Sequence, residues 1–167
     1  MSFRRRLCSA DRVQHIQYSR ILVPLDGSVT AEIVLPHALH LACLEHATAT
    51  LLFVITSLEE IRGIGGQIVS IDEQWEACRI TALAYLRSVQ QRPEWRDVTV
   101  QLATETGAAA ERILACAAAE QSDVIVIATH GHSGFKRWML GSVADKVLHA
   151  SDRPVLLVNA NPRTTSA

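Results

Sequence analysis

Short, unbroken apolar runs recur along this chain, and between them the apolar residues switch to helical spacing. The runs are Ile21-Leu22-Val23, Leu51-Leu52-Phe53-Val54-Ile55, Val124-Ile125-Val126-Ile127-Ala128 and Val155-Leu156-Leu157-Val158. The first three read as strands buried on both faces, the habit of a parallel sheet covered by helices, and the last is expected at a sheet edge. Val98, Val100 and Leu102 instead alternate with polar residues and predict a half-exposed strand near a sheet edge. In residues 30–46, Ile33, Val34, Leu41 and Leu44 could share a helical face, with a kink at Pro36. Ser70-Ile71-Asp72-Glu73 has capping-box spacing. It opens a helix to about Gln91 whose inner stripe is Trp75, Cys78, Ala82, Leu86 and Val89. Gly107 precedes an alanine-rich helix over 108–120, and a last helix runs from Ser142 to about His149.

Strands alternating with helices predict an α/β fold with a parallel sheet and helices on both faces; the fold expected is a doubly wound five-stranded sheet in the order 3-2-1-4-5. At 167 residues the chain has the size of one domain. The reading is a flexible basic arm over 1–18, a domain over 19–159 and a flexible tail over 160–167. The first twenty residues carry Arg4, Arg5, Arg6, Arg12 and Arg20 against Asp11 alone, which reads as a solvated arm. The net charge of -1 gives no sign of a nucleic-acid partner. No apolar run approaches the roughly 20 residues of a membrane span, and no secretory signal is evident. Cys8, Cys43, Cys78 and Cys116 form no CxxC pair. The last three are expected as small core fillers in a reducing compartment, so a cytoplasmic location is expected.

In this strand order the chain leaves strands one and four in opposite directions, and a crevice opens at their carboxyl ends. The two loops that meet there are 24–28 and 128–142. The second, from Ala128-Thr129-His130-Gly131 through Lys136-Arg137 to Gly141-Ser142, is rich in glycine and polar residues. Glycines let a backbone approach a phosphate, and a helix starting at Ser142 would offer free N–H groups to an anion. Ser142 could cap that helix, with Asp145 completing a capping-box-like start. A well-capped helix after a loop would look the same, so physics alone leaves both readings open. No GxxxxGK[ST] and no GxGxxG is present, which sets aside the P-loop and the dinucleotide fingerprint.

Gly131, nine intervening residues and Gly141-Ser142 match the last part of the ATP-binding signature of the universal stress protein family. Thr129-His130-Gly131, Gly141-Ser142-Val143-Ala144, Pro154-Val155-Leu156-Leu157-Val158 and the opening Ile21 to Ser28 also resemble that family. The likeness covers about residues 19–159, and the set of motifs in this order is specific. It implies an adenine-nucleotide alpha-hydrolase-like fold and a stress-response or regulatory protein that binds ATP, with a magnesium ion on the triphosphate as an option. Carried over residue by residue, Asp26 would contact ribose or adenine and Pro24 would shape that wall. Val54 would offer main-chain groups to the adenine edge. Gly131, Gly141, Ser142 and Val143 would hold the phosphates. Ala128 stands where the signature has its first glycine; a requirement for positive φ there would cost about 1 kcal/mol or more. The resemblance also implies a homodimer through the last strand, Val155 to Val158. Asp26 has a plainer reading as a turn-former before Gly27. No catalytic residue and no metal ligand is assigned. The alternatives are a slow ATPase, with His130 as its candidate, and a nucleotide-free dimeric interaction module.

Overall fold

The structure is a computed structural model that describes residues 16–56, 71–129 and 141–159. Its elements in chain order are β1 (Arg20–Leu25), α1 (Val29–Glu32), α2 (Leu35–Glu45), β2 (Thr48–Ile55), α3 (Ile71–Gln90), β3 (Val100–Thr106), α4 (Ala109–Ala119), β4 (Val124–Thr129), α5 (Ser142–Ala150) and β5 (Val155–Asn159). A 3-10 turn at Pro93–Trp95 follows α3. The five strands form one parallel sheet, as the alternation predicts, in the expected order β3-β2-β1-β4-β5. Three of the continuous apolar runs form the central strands β2, β1 and β4, the fourth forms the edge strand β5, and the alternating segment forms the other edge, β3.

Two apolar layers sandwich the sheet. Ile21, Val23 and Leu25 of β1 turn to the side of α1, α2 and α3, where they meet Ala38, Ala42, Leu86 and Val89. Leu22, Leu52, Ile125 and Ile127 turn to the other side and pack on Ile113, Ala117, Ala144 and Val147 of α4 and α5. The α3 stripe is as expected: Cys78, Ala82, Leu86 and Val89 are buried and Trp75 packs beside them. Ser70, and with it the expected capping box, lies outside the described residues.

Residues 30–46 differ from the expectation. The chain breaks at Ile33–Val34 into α1 and α2, and Pro36 sits in the first turn of α2 rather than at a kink. A proline there removes no intrahelical hydrogen bond, so the first turn is its natural place. The break re-phases the helix, so Val34, Leu35, Ala38 and Ala42 are buried while Leu44 is 66% exposed. Cys43 is also exposed, unlike the buried Cys78 and Cys116. Burial pushes the Cys116 thiol up to about 11, and the charges of Glu120 and Glu105 add to the effect.

One limit of the ladder matters for function. β1 pairs with β2 from Arg20 to Leu25, but with β4 only at Ile21↔Val124 and Leu22↔Ile125. The Asp123 N–H donates to the Arg20 carbonyl at 2.8 Å. By the alternation of a parallel strand, the even-numbered residues of β1, Pro24 included, therefore face β4. Pro24 has no N–H to give, and at that point the ladder has ended. β1 itself runs on through Pro24 and Leu25, so the loop starts at Asp26, two residues later than the apolar run suggests. A crevice between β1 and β4 at their carboxyl ends is built into the pairing.

Candidate functional site

The nucleoside end of the expected site rests on the turn after β1. Gly27 has φ of 81°, a conformation that a side chain disfavours. A Cβ added there would meet only the Phe53 ring edge at 3.8 Å, so backbone conformation, not space, calls for glycine. Asp26 is exposed, and its Oδ1 accepts from the Ser28 N–H at 2.9 Å. It is thus a turn-former, as its plainer reading has it. Oδ2 has no partner among the described residues, so this exposed side chain keeps one strong acceptor available. Ser28 then caps α1, its Oγ accepting from the Ala31 N–H at 3.0 Å.

Val54 lies next to the end of β2, in register with Glu105 of β3. The Thr48 N–H donates to Ser19 of the β1 entry, while the Ala49 N–H donates to Thr99 beside β3, both at 2.9 Å. Even-numbered residues of β2 therefore bond toward β1. The Val54 carbonyl faces that side past Leu25, where the chain has already turned at Asp26 and Gly27. Its side chain packs toward α4 and α5, as expected of a residue whose proposed role is main-chain. Pro24 is buried and opposite Leu52 of β2.

The phosphate end rests on the start of α5. Here the expected cap is not formed. Gly141, not Ser142, is the N-cap, with φ of 64° and ψ of 139°, and among the described residues no side chain bonds to the first turn. Such a conformation is nearly closed to residues with a side chain, so a serine cannot easily take the cap position. Ser142 is the first helical residue, and Asp145 falls one position too late for a capping box. The Asp145 N–H bonds to the Gly141 carbonyl at 3.0 Å. Its carboxylate instead lies 3.5 Å from His149 Nδ1. The first-turn N–H groups of α5 thus have no intrahelical partner and carry the positive end of the helix dipole. Val143 packs against the α4–α5 side of the sheet.

Ala128 lies inside β4, opposite Val158 of β5. Among the described non-glycine residues only His46 and Gln121 have positive φ, so alanine costs no backbone strain at position 128. Gly131, His130, His132, Lys136 and Arg137 lie outside the described residues. Among those described, no group of His, Cys, Asp and Glu could hold a metal ion, and no helix is long and apolar enough to cross a membrane.

A polar tie that the sequence does not reveal lies behind the Asp26 turn. The Glu32 carboxylate at the end of α1 accepts from the Tyr85 hydroxyl at 3.1 Å and from the Arg92 guanidinium at 2.8 Å. Burial, followed by the adjacent Glu32 charge, holds the Tyr85 phenol well above its ordinary range. Glu32 lies 53 and 60 residues from Tyr85 and Arg92 in the chain, and nothing in the sequence marks it as their partner.

The profile described as the universal stress protein family matches residues 17–159. The chain is similar to universal stress protein MJ0577 of Methanocaldococcus jannaschii, with 31% identity over 155 residues, covering 86% of this chain and 96% of that protein. The solved structure of MJ0577 superimposes with a TM-score of 0.69 at 28% identity, covering 89% of this chain and all of that one (100%). Two further structures share the fold. One is a universal stress protein in complex with cAMP, with a TM-score of 0.65 at 19% identity, covering 87% and 100% of the two chains. The other is the universal stress protein of Archaeoglobus fulgidus in complex with dAMP, with a TM-score of 0.57 at 20% identity, covering 85% and 98%.

Proposed function

The chain belongs to the universal stress protein family, and from that premise we propose that it binds ATP at the carboxyl edge of its sheet as a regulatory, stress-response protein. The supporting observation is chemical complementarity on the two sides of one gap. Beside β1 stand two acceptors, the second Asp26 carboxylate oxygen and the Val54 carbonyl, suited to ribose hydroxyls and an adenine amine. Beyond β4, α5 opens with N–H donors that no described side chain caps, suited to phosphate oxygens. Between them the β1–β4 ladder has stopped at Leu22↔Ile125. The reading accords with the adenine nucleotides named for two proteins of the same fold.

In this reading Asp26, Pro24 and Val54 hold the nucleoside, while Gly131, Gly141, Ser142 and Val143 hold the phosphates. Ala128 gives them a small neighbour. A magnesium ion would ride on the triphosphate oxygens rather than on a protein cage. The role is binding, with no catalytic residue assigned. Mass spectrometry of the supernatant from freshly purified, denatured protein tests it: an adenine nucleotide near one per chain is expected. Absence of nucleotide there, with no uptake of added ATP, would favour the nucleotide-free interaction module.

We propose further that a second copy pairs along β5. That strand closes one edge of the sheet, and Leu156 on it is 41% exposed. An apolar edge strand left bare is a hazard that pairing removes.

A further inference from the structure

We propose that Glu32 is a positioning residue for the nucleoside end of the crevice, acting through the Asp26–Gly27–Ser28 turn. The ligand in this inference rests on the nucleotide reading above; the mechanical link rests on hydrogen bonds alone. α1 has only four residues, too few to be stable by itself. Its inward packing comes mainly from Ala31, while Val29 is 87% exposed. What seats it is polar. At its start Ser28 caps the Ala31 N–H, and the Glu32 N–H donates to the Ser28 carbonyl at 3.1 Å. At its end the two oxygens of Glu32 each take a donor, Tyr85 on one and Arg92 on the other.

Both donors belong to α3 and the turn that follows it, so the carboxylate fastens α1 to the longest helix of the molecule. A carboxylate holding one donor on each oxygen is fixed in direction as well as place. Glu32 and Arg92 side chains are 27% and 34% exposed, so water screens the pair only in part. The same Ser28 that closes α1 also donates its N–H to Asp26 Oδ1. A continuous path of hydrogen bonds therefore runs from α3 through Glu32, α1 and Ser28 to the carboxylate offered to the nucleoside. The Phe53 ring backs this path, edge-on to Tyr85 with centroids 6.0 Å apart and beside Gly27.

Two readouts test the link in the full chain. The first is amide hydrogen exchange by NMR, which needs no ligand. Glu32→Gln keeps the shape of the side chain but loses its charge. It should speed exchange at Ser28 and Ala31 about tenfold, with Val23 and Val126 in the sheet unchanged. Tyr85→Phe removes one donor and should give a smaller change at the same two amides, and it decides the question if Glu32→Gln folds poorly. The second readout is adenosine affinity. Glu32→Gln should weaken it about tenfold in the parent but little in an Asp26→Ala background, because the two residues act in series. Unchanged exchange at Ser28 and Ala31, or acceleration spread evenly over the sheet, would overturn the inference. Equal losses of affinity in both backgrounds would overturn it too. If the parent takes up no adenosine, the nucleotide reading fails, while the exchange result still decides whether Glu32 positions the turn.

Discussion

At the level of single residues, Ala128 and Ser142 show where a motif and a backbone part company. Ala128 replaces the first glycine of the family signature, yet it sits in an extended strand without positive φ. Restoring glycine there removes side-chain contact and loosens the unfolded chain without relieving any strain. Ala128→Gly should therefore lower stability by about 0.5–1 kcal/mol, read from urea unfolding, and leave ATP affinity within about twofold. A large gain in affinity would mean that the ligand needs the backbone closer than alanine allows. Glycine at 141 is a different case, since its φ and ψ are of a kind few other residues adopt. The sequence marks Gly141-Ser142 as the start of a helix, which is correct, but it does not say which of the two takes the cap position. That depends on the dihedral angles at one residue, and a Gly-Ser pair in a sequence reads equally well with the glycine or the serine as cap. The turn at Asp26 was more legible, because Asp before Gly states its own local geometry.

Among the elements, β1, β2 and β4 were readable because burial on both faces leaves unbroken apolar runs, and the edge strand β3 because it alternates; β5 is an apolar run as well, yet it lies at the other edge with Leu156 exposed. The helix α3 was readable from its 3.6-residue stripe. The split between α1 and α2 was not, since Pro36 is compatible with a kink or a helix start, and the choice depends on how Val34 and Leu35 reach the sheet. Least legible was the tie from Glu32 to Tyr85 and Arg92, which joins α1 to α3 across long stretches of chain. It has a pH consequence whose sign follows from the raised Tyr85 pKa. The unfolded tyrosine ionises near its ordinary value of 10.0, and the folded one only at higher pH. Above pH about 10 the unfolded state therefore binds fewer protons, and the parent loses stability as pH rises. Below that pH the contribution is fully present. Urea unfolding between pH 9 and pH 11 should show a steeper fall for the parent than for Tyr85→Phe. Parallel curves would mean that the phenol is not shielded in the folded state.

For the molecule as a whole, the observed strand order places the crevice between β1 and β4; alternation of strands and helices implies a parallel sheet but is compatible with more than one order. Assembly belongs to this scale as well. Along β5 the side chains alternate: Leu157 packs against α4 and α5, and Leu156 is exposed. A charge at Leu157 would disturb the core together with any pairing, so Leu156→Lys is the cleaner probe. Sedimentation at micromolar concentration should show a dimer for the parent and a shift toward monomer for Leu156→Lys, with unchanged circular dichroism. The central claim, that the crevice takes ATP, is tested most directly by calorimetric titration of ATP into the parent and into Asp26→Ala. The account predicts saturable binding at one nucleotide per chain, weakened about ten- to a hundredfold in the variant by loss of a charged hydrogen bond. No saturable heat in the nucleotide-free parent, or equal affinity in the two proteins, would contradict it.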